Sequence, residues 1–371
     1  MKIVYGTLAF LLGTIPVASG QYTTNKDVGK QALTKDSMAA IHYNNALPIW
    51  GKKAIEKGFS LPYSAGLSVQ YIWQQSDIII DNLQIGFNNG PKHNLDNVIR
   101  FDGAKTSTSG ANIRPDIWLF PFLNVYAVFA QSAASTSVNC GLWVPDSSNK
   151  YSKVTDFSTK ANFSATTIGF GLTPTIGIGG FFLAMDMNFT WTDISELDQP
   201  AYVFVFGPRL GKNIKFKKER QLALWAGGFR VQMANNTSGS LKVSDLFPTD
   251  QWGSKIESSV QKVNTAQESV DTWWDGLSAT EQKKPSNIAK HDAANAALGK
   301  ATDVLNAAST TIGNAENSTV QYSLDKRPKD MWNFIVGAQF QLNKSWMIRG
   351  EYGFLGSRQQ FIGGLQYRFP F

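Results

Sequence analysis

Cysteine is nearly absent from this chain of 371 residues, because Cys140 is the only one. A single cysteine excludes an internal disulfide framework and a zinc site built from cysteine pairs, and the sequence assigns Cys140 no role. Long apolar runs are also missing after residue 20, and the mean hydropathy is -0.19. A helical membrane span needs about 20 consecutive apolar residues. If the chain enters a membrane, it must do so with strands.

Charged residues make up only 17% of the chain, whereas hydrophobic residues make up 43%. This composition excludes a disordered protein, since so much apolar surface must be buried or placed in lipid. The net charge of +7 could indicate a nucleic-acid partner. No basic helix, zinc finger or ribonucleoprotein motif accompanies that charge, so we expect no nucleic-acid partner. The sequence also carries no nucleotide-binding glycine motif and no spaced metal ligands, so we expect no cofactor and no metal.

The start of the chain has the pattern of an export signal. A single cation, Lys2, precedes the apolar run of residues 3–20, which ends in the small residues Ala18, Ser19 and Gly20. This pattern predicts a signal peptide over residues 1–20 that is cleaved before Gln21. A single membrane anchor is the alternative, but a glycine and a proline interrupt the run and flanking charge is lacking.

Alternation of apolar and polar residues over about ten positions is the strongest pattern in the rest of the chain. In residues 181–191 every odd position is a large apolar residue, whereas Asp186 and Asn188 occupy even positions. Such alternation is typical of strands with lipid on one face and an enclosed interior on the other; a soluble β-sandwich or barrel is the alternative. The sequence predicts about 12 antiparallel strands, with 10 to 14 possible. Their cores are residues 65–75, 79–89, 94–103, 112–120, 124–132, 162–172, 181–191, 201–210, 225–233, 332–342, 346–354 and 358–371.

The last predicted strand carries Tyr367, Phe369 and Phe371 on one face. This ending resembles the closing strand of Gram-negative bacterial outer-membrane β-barrel proteins, and the resemblance covers most of residues 65–235 and 331–371. It implies an all-β membrane fold, a closed antiparallel transmembrane β-barrel over residues 65–371, located in the bacterial outer membrane. It further implies that these three aromatic residues act as an assembly signal, with outer-membrane lipid, lipopolysaccharide and the barrel-assembly machinery as partners. The resemblance identifies no subfamily.

Aromatic residues at strand positions can form the two girdles that mark the membrane interfaces of such barrels. On residues 225–233 we expect Trp225 and Phe229 to point outward and Arg230 to point into the lumen. The predicted girdle residues are Trp191, Trp225, Trp332, Trp346, Tyr352 and Tyr367.

Two segments depart from the strand pattern. In residues 253–311 a capping box formed by Ser254 and Glu257 precedes apolar residues at helical spacing, which predicts a helical hairpin inserted in an extracellular loop. Residues 21–64 form no recognisable domain. They are either a periplasmic segment or a lumenal one, and the sequence favours neither.

Charged residues fall on the inward register of the predicted strands. A charge that faced lipid would cost about 2 to 4 kcal/mol at mid-depth, so these side chains face water or one another. They either line a solute path or interlock as a plug, and both interpretations stay open. The expected lumen-lining residues are Arg114, Asp116, Asp186, Arg230, Arg349, Glu351 and Arg368.

The pattern of lumen charges favours a narrow channel or transporter for small polar solutes, with a slight preference for anions. The alternative is a surface binding or structural barrel whose helical loop engages a protein partner or a polysaccharide; the expected exposure of Trp252, Trp273 and Trp274 motivates it. A lipid hydrolase is a remote alternative. Of the three histidines only His93 lies near a predicted strand end, and no Gly-x-Ser-x-Gly motif accompanies it, so we expect no enzyme.

Overall fold

A computed structural model describes residues 25–26, 28, 45–194, 199–217, 219–233, 236–246, 249–314 and 317–371. The predicted signal peptide, residues 1–20, and most of residues 21–44 lie outside the described residues. Among the described helices, none combines the length and the apolar character of a membrane span.

Strands dominate the described part of the chain. They are β1 (Asn25–Lys26), β2 (Phe59–Ser60), β3 (Ala65–Phe87), β4 (His93–Asn94), β5 (Ile99–Phe120), β6 (Leu123–Pro145), β7 (Tyr151–Ile178), β8 (Phe181–Ile194), β9 (Ala201–Lys215), β10 (Gln221–Met233), β11 (Asn236–Lys242), β12 (Thr319–Pro328), β13 (Trp332–Gln341), β14 (Trp346–Phe354) and β15 (Arg358–Phe369). The helices are α1 (Gly51–Glu56), α2 (Val243–Leu246), α3 (Thr249–Asp275), α4 (Ala279–Gln282) and α5 (Pro285–Ile312).

A closed antiparallel barrel forms the centre of the molecule. Its ten strands follow the order β3, β5, β6, β7, β8, β9, β10, β13, β14 and β15, each paired with the next. The barrel closes because β15 pairs with β3, from Arg358 opposite Ser76 to Phe369 opposite Ala65. Closure leaves these strands without free edges, which is what a strand-built membrane protein needs.

The alternation in the sequence determines which side chains face outward. On β8, Phe181 is 56% exposed whereas Asp186 is 1% exposed, and the same two-residue period continues to Trp191 outside and Thr192 inside. The predicted closed barrel with an apolar exterior is therefore confirmed. The girdle residues Trp191, Trp332, Trp346, Tyr352 and Tyr367 are all exposed on the outer surface.

The barrel has ten strands rather than about 12, because four predicted segments form two long strands. Residues 65–75 and 79–87 belong to the single strand β3, and residues 99–103 and 112–120 belong to β5. The polar residues between the segments would indicate the end of a strand only if the whole strand lay in lipid. These strands continue beyond the apolar belt, where polar residues face water on their outer side.

The upper parts of β3, β5, β6 and β7 rise above the rest of the barrel. These strands have 22 to 28 residues, whereas β8 has 14 and β14 has 9. Along β5 the outward residues change from Ile113 and Ile117 to Ser107 and Lys105. We call the part beyond this change the crown, and the opposite end, where short connections such as residues 121–122 and 179–180 join strands, the turn end.

Helices α3 and α5 cover the crown end of the lumen. Gln267 of α3 donates to Asn295 of α5 at 2.7 Å, and Trp274 stacks on His291 at 4.1 Å, so the two helices run antiparallel in the region for which the sequence predicts a hairpin. Their apolar sides join the inward faces of the upper strands in one buried cluster. Its members include Val138, Leu142, Phe163, Ala165, Ile194, Ile256, Val263, Leu298, Ala301 and Leu305.

The N-terminal residues 45–64 pack against the turn end. The amide of Ile49 donates to the carbonyl of Leu119 at 2.9 Å, and the Arg368 Nε donates to the carbonyl of Tyr63 at the same distance. This segment therefore touches the barrel at the mouth opposite the helices.

Three inward glycines lie beneath aromatic rings of the neighbouring strand. Gly171 is paired with Tyr126, Gly211 with Phe182, and Gly337 with Trp225, and in each case a Cβ added to the glycine would collide with the partner's ring. The missing side chain therefore allows each ring to lie against the sheet.

Replacing Gly171 with Val is expected to destabilise the barrel by about 1 to 3 kcal/mol, because the new side chain must displace the Tyr126 ring. The matched control is Gly350→Val, since no atom lies within 4 Å of a Cβ at that position. The temperature at which the folded band is lost on a heat-modifiability gel measures the effect. Equal transition temperatures for the two variants would contradict this packing account.

Candidate functional site in the lumen

Buried charges fill the turn-end half of the lumen. Each lies on the inward register of its strand, which places Asp186 on β8, Glu351 on β14 and Arg368 on β15. All three are at most 2% exposed. Ions in so confined an interior need partners, because the desolvation of an unpaired charge is costly.

Arg209 of β9 is the centre of the larger group. Its Nη1 donates to the Asp186 carboxylate at 2.7 Å, and its Nε and Nη2 donate to the two oxygens of Glu351 at 2.9 and 3.1 Å. The hydroxyl of Thr173 also donates to Asp186. The bidentate bond to Glu351 fixes the plane of the guanidinium, and this geometry makes Arg209 a rigid bridge between β8 and β14.

Arg349 and Trp225 complete this group from two further positions. The Nη2 of Arg349 donates to Glu351 at 3.1 Å, and its guanidinium carbon lies 4.6 Å from the centre of the Trp225 ring. The indole N–H of Trp225 donates to Glu351 at 2.8 Å. We call Asp186, Arg209, Trp225, Arg349 and Glu351 the Arg209 cluster.

A second group surrounds Asp116 of β5. Its carboxylate accepts from Asn124 of β6 and from Gln366 of β15, both at 2.8 Å, and from Arg368 at 2.9 Å. We call Asp116, Asn124, Gln366 and Arg368 the Asp116 cluster. It joins strands on both sides of β3.

Tyr126 of β6 lies between the two clusters. Its hydroxyl donates to the side-chain oxygen of Asn188 on β8 at 2.8 Å, and the Arg114 guanidinium lies 3.7 Å above its ring. Side chains from β5, β6, β8, β9, β10, β14 and β15 thus meet inside the lumen. At this level side chains of the described residues cross the interior.

Above the Asp116 cluster, the wall formed by β3, β5 and β15 carries polar side chains with unpaired atoms. These residues are neighbours in the sheet, since Gln74 is paired with both Thr108 and Gln360 and Gln70 is paired with Asn112. Each has at least one buried polar side-chain atom that makes no hydrogen bond to the described part of the protein. We call Gln70, Gln74, Thr108, Asn112 and Gln360 the polar strip.

The structure places six of the seven predicted lumen residues inside the barrel. Arg114, Asp116, Asp186, Arg349, Glu351 and Arg368 are each 7% exposed or less. Apart from Arg114, which stacks on Tyr126, all of them belong to the two clusters.

The prediction for Arg230 is wrong, and so is the outward orientation of Trp225 and Phe229. Trp225 and Phe229 are 4% and 1% exposed and point inward, so Arg230 lies on the outer face opposite Trp332. Both faces of β10 are largely apolar, so the alternation alone does not show which face is inside. Arg230 lies near the crown end of its strand, where a long cationic side chain can extend toward the membrane surface.

Arg209, which holds the larger cluster together, is not among the lumen-lining residues that the sequence predicts. The alternation along β9 predicts its inward orientation, because Tyr202, Phe204 and Phe206 lie on one face and Arg209 lies on the opposite face. Arg358 was missed in the same way and is 2% exposed at the start of β15. In both cases the available signal was an arginine on the strand face opposite to the large apolar residues.

The tryptophans expected to lie exposed on the hairpin are largely covered. Trp252 is 7% exposed and stacks on Phe157 of β7 at 5.1 Å. Trp273 and Trp274 are half-buried, and the latter packs on His291. Trp252 connects α3 to the crown and Trp274 connects α3 to α5, so the expected exposure of Trp252 is wrong, whereas Trp273 and Trp274 keep part of their surface exposed.

The histidines do not assemble with a nucleophile in the described residues. His93 belongs to β4 and is paired with Ile85, and His291 lies on α5 under Trp274. His42 lies outside the described residues. The geometry therefore adds no support to lipid hydrolysis.

No protein-family model matches the chain, and no curated protein matches it. Several solved structures are similar to the chain at low TM-scores. The β domain of a Bordetella autotransporter has a TM-score of 0.33 and 10% identity over 83% of this chain and 100% of its own. The translocator domain of the autotransporter NalP from Neisseria meningitidis has a TM-score of 0.30 and 10% identity over 85% and 92%. The toluene transporter TbuX from Ralstonia pickettii has a TM-score of 0.29 and 9% identity over 83% and 90%.

An outer-membrane channel from Pseudomonas putida F1 is also among the matches. Similarity this low carries no argument about activity or solute. The fold is assigned from the architecture of the chain itself. Ten strands form a closed ring, the exterior is apolar with aromatic residues, and charged residues are paired inside. By this architecture the chain has the fold of outer-membrane β-barrel proteins.

Proposed function

We propose that this chain is an outer-membrane transport barrel for small polar solutes, and that the Arg209 cluster holds its lumen closed in the conformation described. The main support for this proposal is the polar strip. A buried polar atom left without a hydrogen bond costs about 1 to 3 kcal/mol, so these atoms require water. An interior that served only as a solid plug would pair such atoms within the protein, whereas a hydrated wall suits a path for polar solutes.

The charges of the two clusters and Arg114 support a preference for anions. Four arginines, residues 114, 209, 349 and 368, accompany three carboxylates, residues 116, 186 and 351, which leaves one net positive charge in this part of the lumen. A positive potential in a narrow pore raises the local concentration of anions. A ten-stranded barrel is only slightly wider than the eight-stranded barrels whose interiors side chains fill, so the solutes must be small.

Planar-bilayer recordings and liposome flux measurements test this proposal. We expect the purified barrel to show brief, low-conductance openings that favour chloride over potassium. The triple variant Gln70→Leu, Gln74→Leu, Gln360→Leu should lose these openings, because an apolar wall disfavours water in a narrow pore. The control is Gln359→Leu, which makes the same change next to Gln360 on the outer face.

Absence of flux in the wild type and in the open variant described in the Discussion would reject the proposal. Openings of equal size in the triple variant and the control would show that solutes do not pass the polar strip. Both experiments need a folded barrel, which the heat-modifiability gel verifies.

Binding of a surface partner by residues 253–311 remains a prediction. The apolar sides of α3 and α5 are already packed in the crown, so a partner would have to bind their polar sides. Deleting the hairpin would expose the crown cluster, and substitutions on the solvent side of the helices are the cleaner test.

A further inference from the structure

The crown contains an apolar cavity of about 170 Å³ that lies between the long helices and the upper strands. Ile256 of α3 and Ala308 of α5 form one side of it. Val138 of β6 and Phe157 of β7 form another side, and Leu83 of β3 closes a third. The surface that these residues present to the cavity is apolar throughout. This space is distinct from the charged lumen clusters, which lie toward the turn end.

The size of the cavity indicates what it can hold. Protein interiors are packed as densely as organic crystals, so a void of this volume is unusual. An apolar cavity of about 150 Å³ in another protein stays dry and binds benzene. The crown cavity is of the same order and has no polar surface to bind water. It therefore fits an uncharged molecule of about the size of one aromatic ring.

Cys140 lines the cavity without adding charge to it. Burial raises the pKa of its thiol to about 12, and the nearby carboxylates of Asp102 and Asp156 act in the same direction. The thiol therefore stays protonated at neutral pH and behaves as a small apolar group.

A cleft on the outside of the crown leads toward the cavity. Strands β3 and β5 are paired up to Ile78 opposite Ala104, and beyond that pair β3 next pairs with β4, at Gln84 and Ile85. The strands separate there around a cleft of about 950 Å³. Ile99 and Phe101 line both the cleft and the cavity, so these two residues belong to a wall that the two spaces share.

We propose that the crown cavity is a binding site for a small, uncharged, apolar molecule of single-ring size, which enters from the cleft between β3 and β5 past Ile99 and Phe101. The shape and the apolar wall of the cavity determine this class of ligand. The site lies at the crown end, away from the two charged clusters, and its occupancy does not depend on whether the lumen conducts.

Fluorine NMR of fluorobenzene added to the full, folded barrel in detergent tests the site. We expect saturable binding of one molecule per chain to the wild type. Ala308→Phe should weaken this binding at least tenfold, because the ring occupies the cavity. The matched control is Ala296→Phe, which places the same ring on the exposed side of the same helix and should leave the affinity unchanged. Non-saturable partition into the detergent alone, or equal affinity in both variants, would overturn the proposal.

The reactivity of Cys140 gives a second measurement, which can be made on the wild-type protein. Saturating fluorobenzene should slow the modification of Cys140 by methyl methanethiosulfonate several-fold, because the ligand fills the space beside the thiol. Phe101→Ala should raise the rate of modification in the absence of ligand, since it opens the wall toward the cleft. A rate that fluorobenzene leaves unchanged would place the ligand elsewhere and overturn the assignment.

Discussion

A double variant with Asp186→Asn and Glu351→Gln is expected to change the barrel from mostly closed to mostly open. The substitutions keep the size of both side chains but remove the two carboxylates that Arg209 bridges at 2.7 and 2.9 Å. Arg349 loses its carboxylate partner in the same step. The guanidinium groups of Arg209 and Arg349 then repel each other without a carboxylate between them.

The magnitude follows from the cost of breaking a buried ion pair. Removing one partner of such a pair typically costs about 3 to 5 kcal/mol. In a lumen that can hydrate, this cost falls on the closed state, because the freed arginines can move apart into water. Every 1.4 kcal/mol changes an equilibrium tenfold, so we expect the open fraction to rise at least about tenfold.

Bilayer conductance and ion selectivity measure the two consequences. The mean conductance should rise, and the preference for anions should increase, because four arginines then face only the Asp116 carboxylate. Asp102→Asn is the matched control, since it makes the same type of change in a surface pair with Lys153 at 3.0 Å. An unchanged conductance in a folded double variant would show that the Arg209 cluster is structural and does not close the lumen.

The sequence predicts the barrel well where the two faces of a strand differ in polarity. On β8 the polar Asp186 and Asn188 alternate with large apolar residues, and the structure confirms each orientation. On β10 the prediction fails, because Trp225 and Phe229 are as apolar as the outward residues but lie inside. The reason is tertiary: Gly337 on β13 provides the space for the Trp225 ring, and Glu351 on β14 accepts its N–H.

The candidate site could be predicted only in part for a related reason. Period two places Asp186, Arg349 and Glu351 inside the barrel, but no local pattern shows that they meet. They meet because Arg209 spans the lumen from β9 to β14, which lie 142 residues apart at the two bonded positions. The sequence predicts too many strands because it treats each outward polar residue as the end of a strand. That rule holds only inside the membrane. The crown strands extend into water, where that rule does not apply.

Aromatic residues cluster at the carboxyl end of the last strand. The resemblance to outer-membrane barrels implies that Tyr367, Phe369 and Phe371 form an assembly signal read by the barrel-assembly machinery. In the folded barrel all three side chains point outward, and that of Phe371 is 65% exposed. The backbone of Phe371 is held independently of its ring, because its amide donates to the Ser64 Oγ at 2.8 Å.

Replacing Phe371 with Ala is therefore expected to abolish most of the assembled barrel in cells while leaving its stability in detergent almost unchanged. The ring makes little contact in the folded state, so its removal costs little there, whereas an assembly signal would be lost. Phe181→Ala is the matched control, because that ring is 56% exposed on the exterior near the same end of the barrel. Heat-modifiable protein in outer-membrane fractions measures assembly, and refolding into detergent measures stability. Equal membrane levels for the two variants would show that the terminal ring is not read during assembly, and a loss in both assays for Phe371→Ala alone would make its role structural.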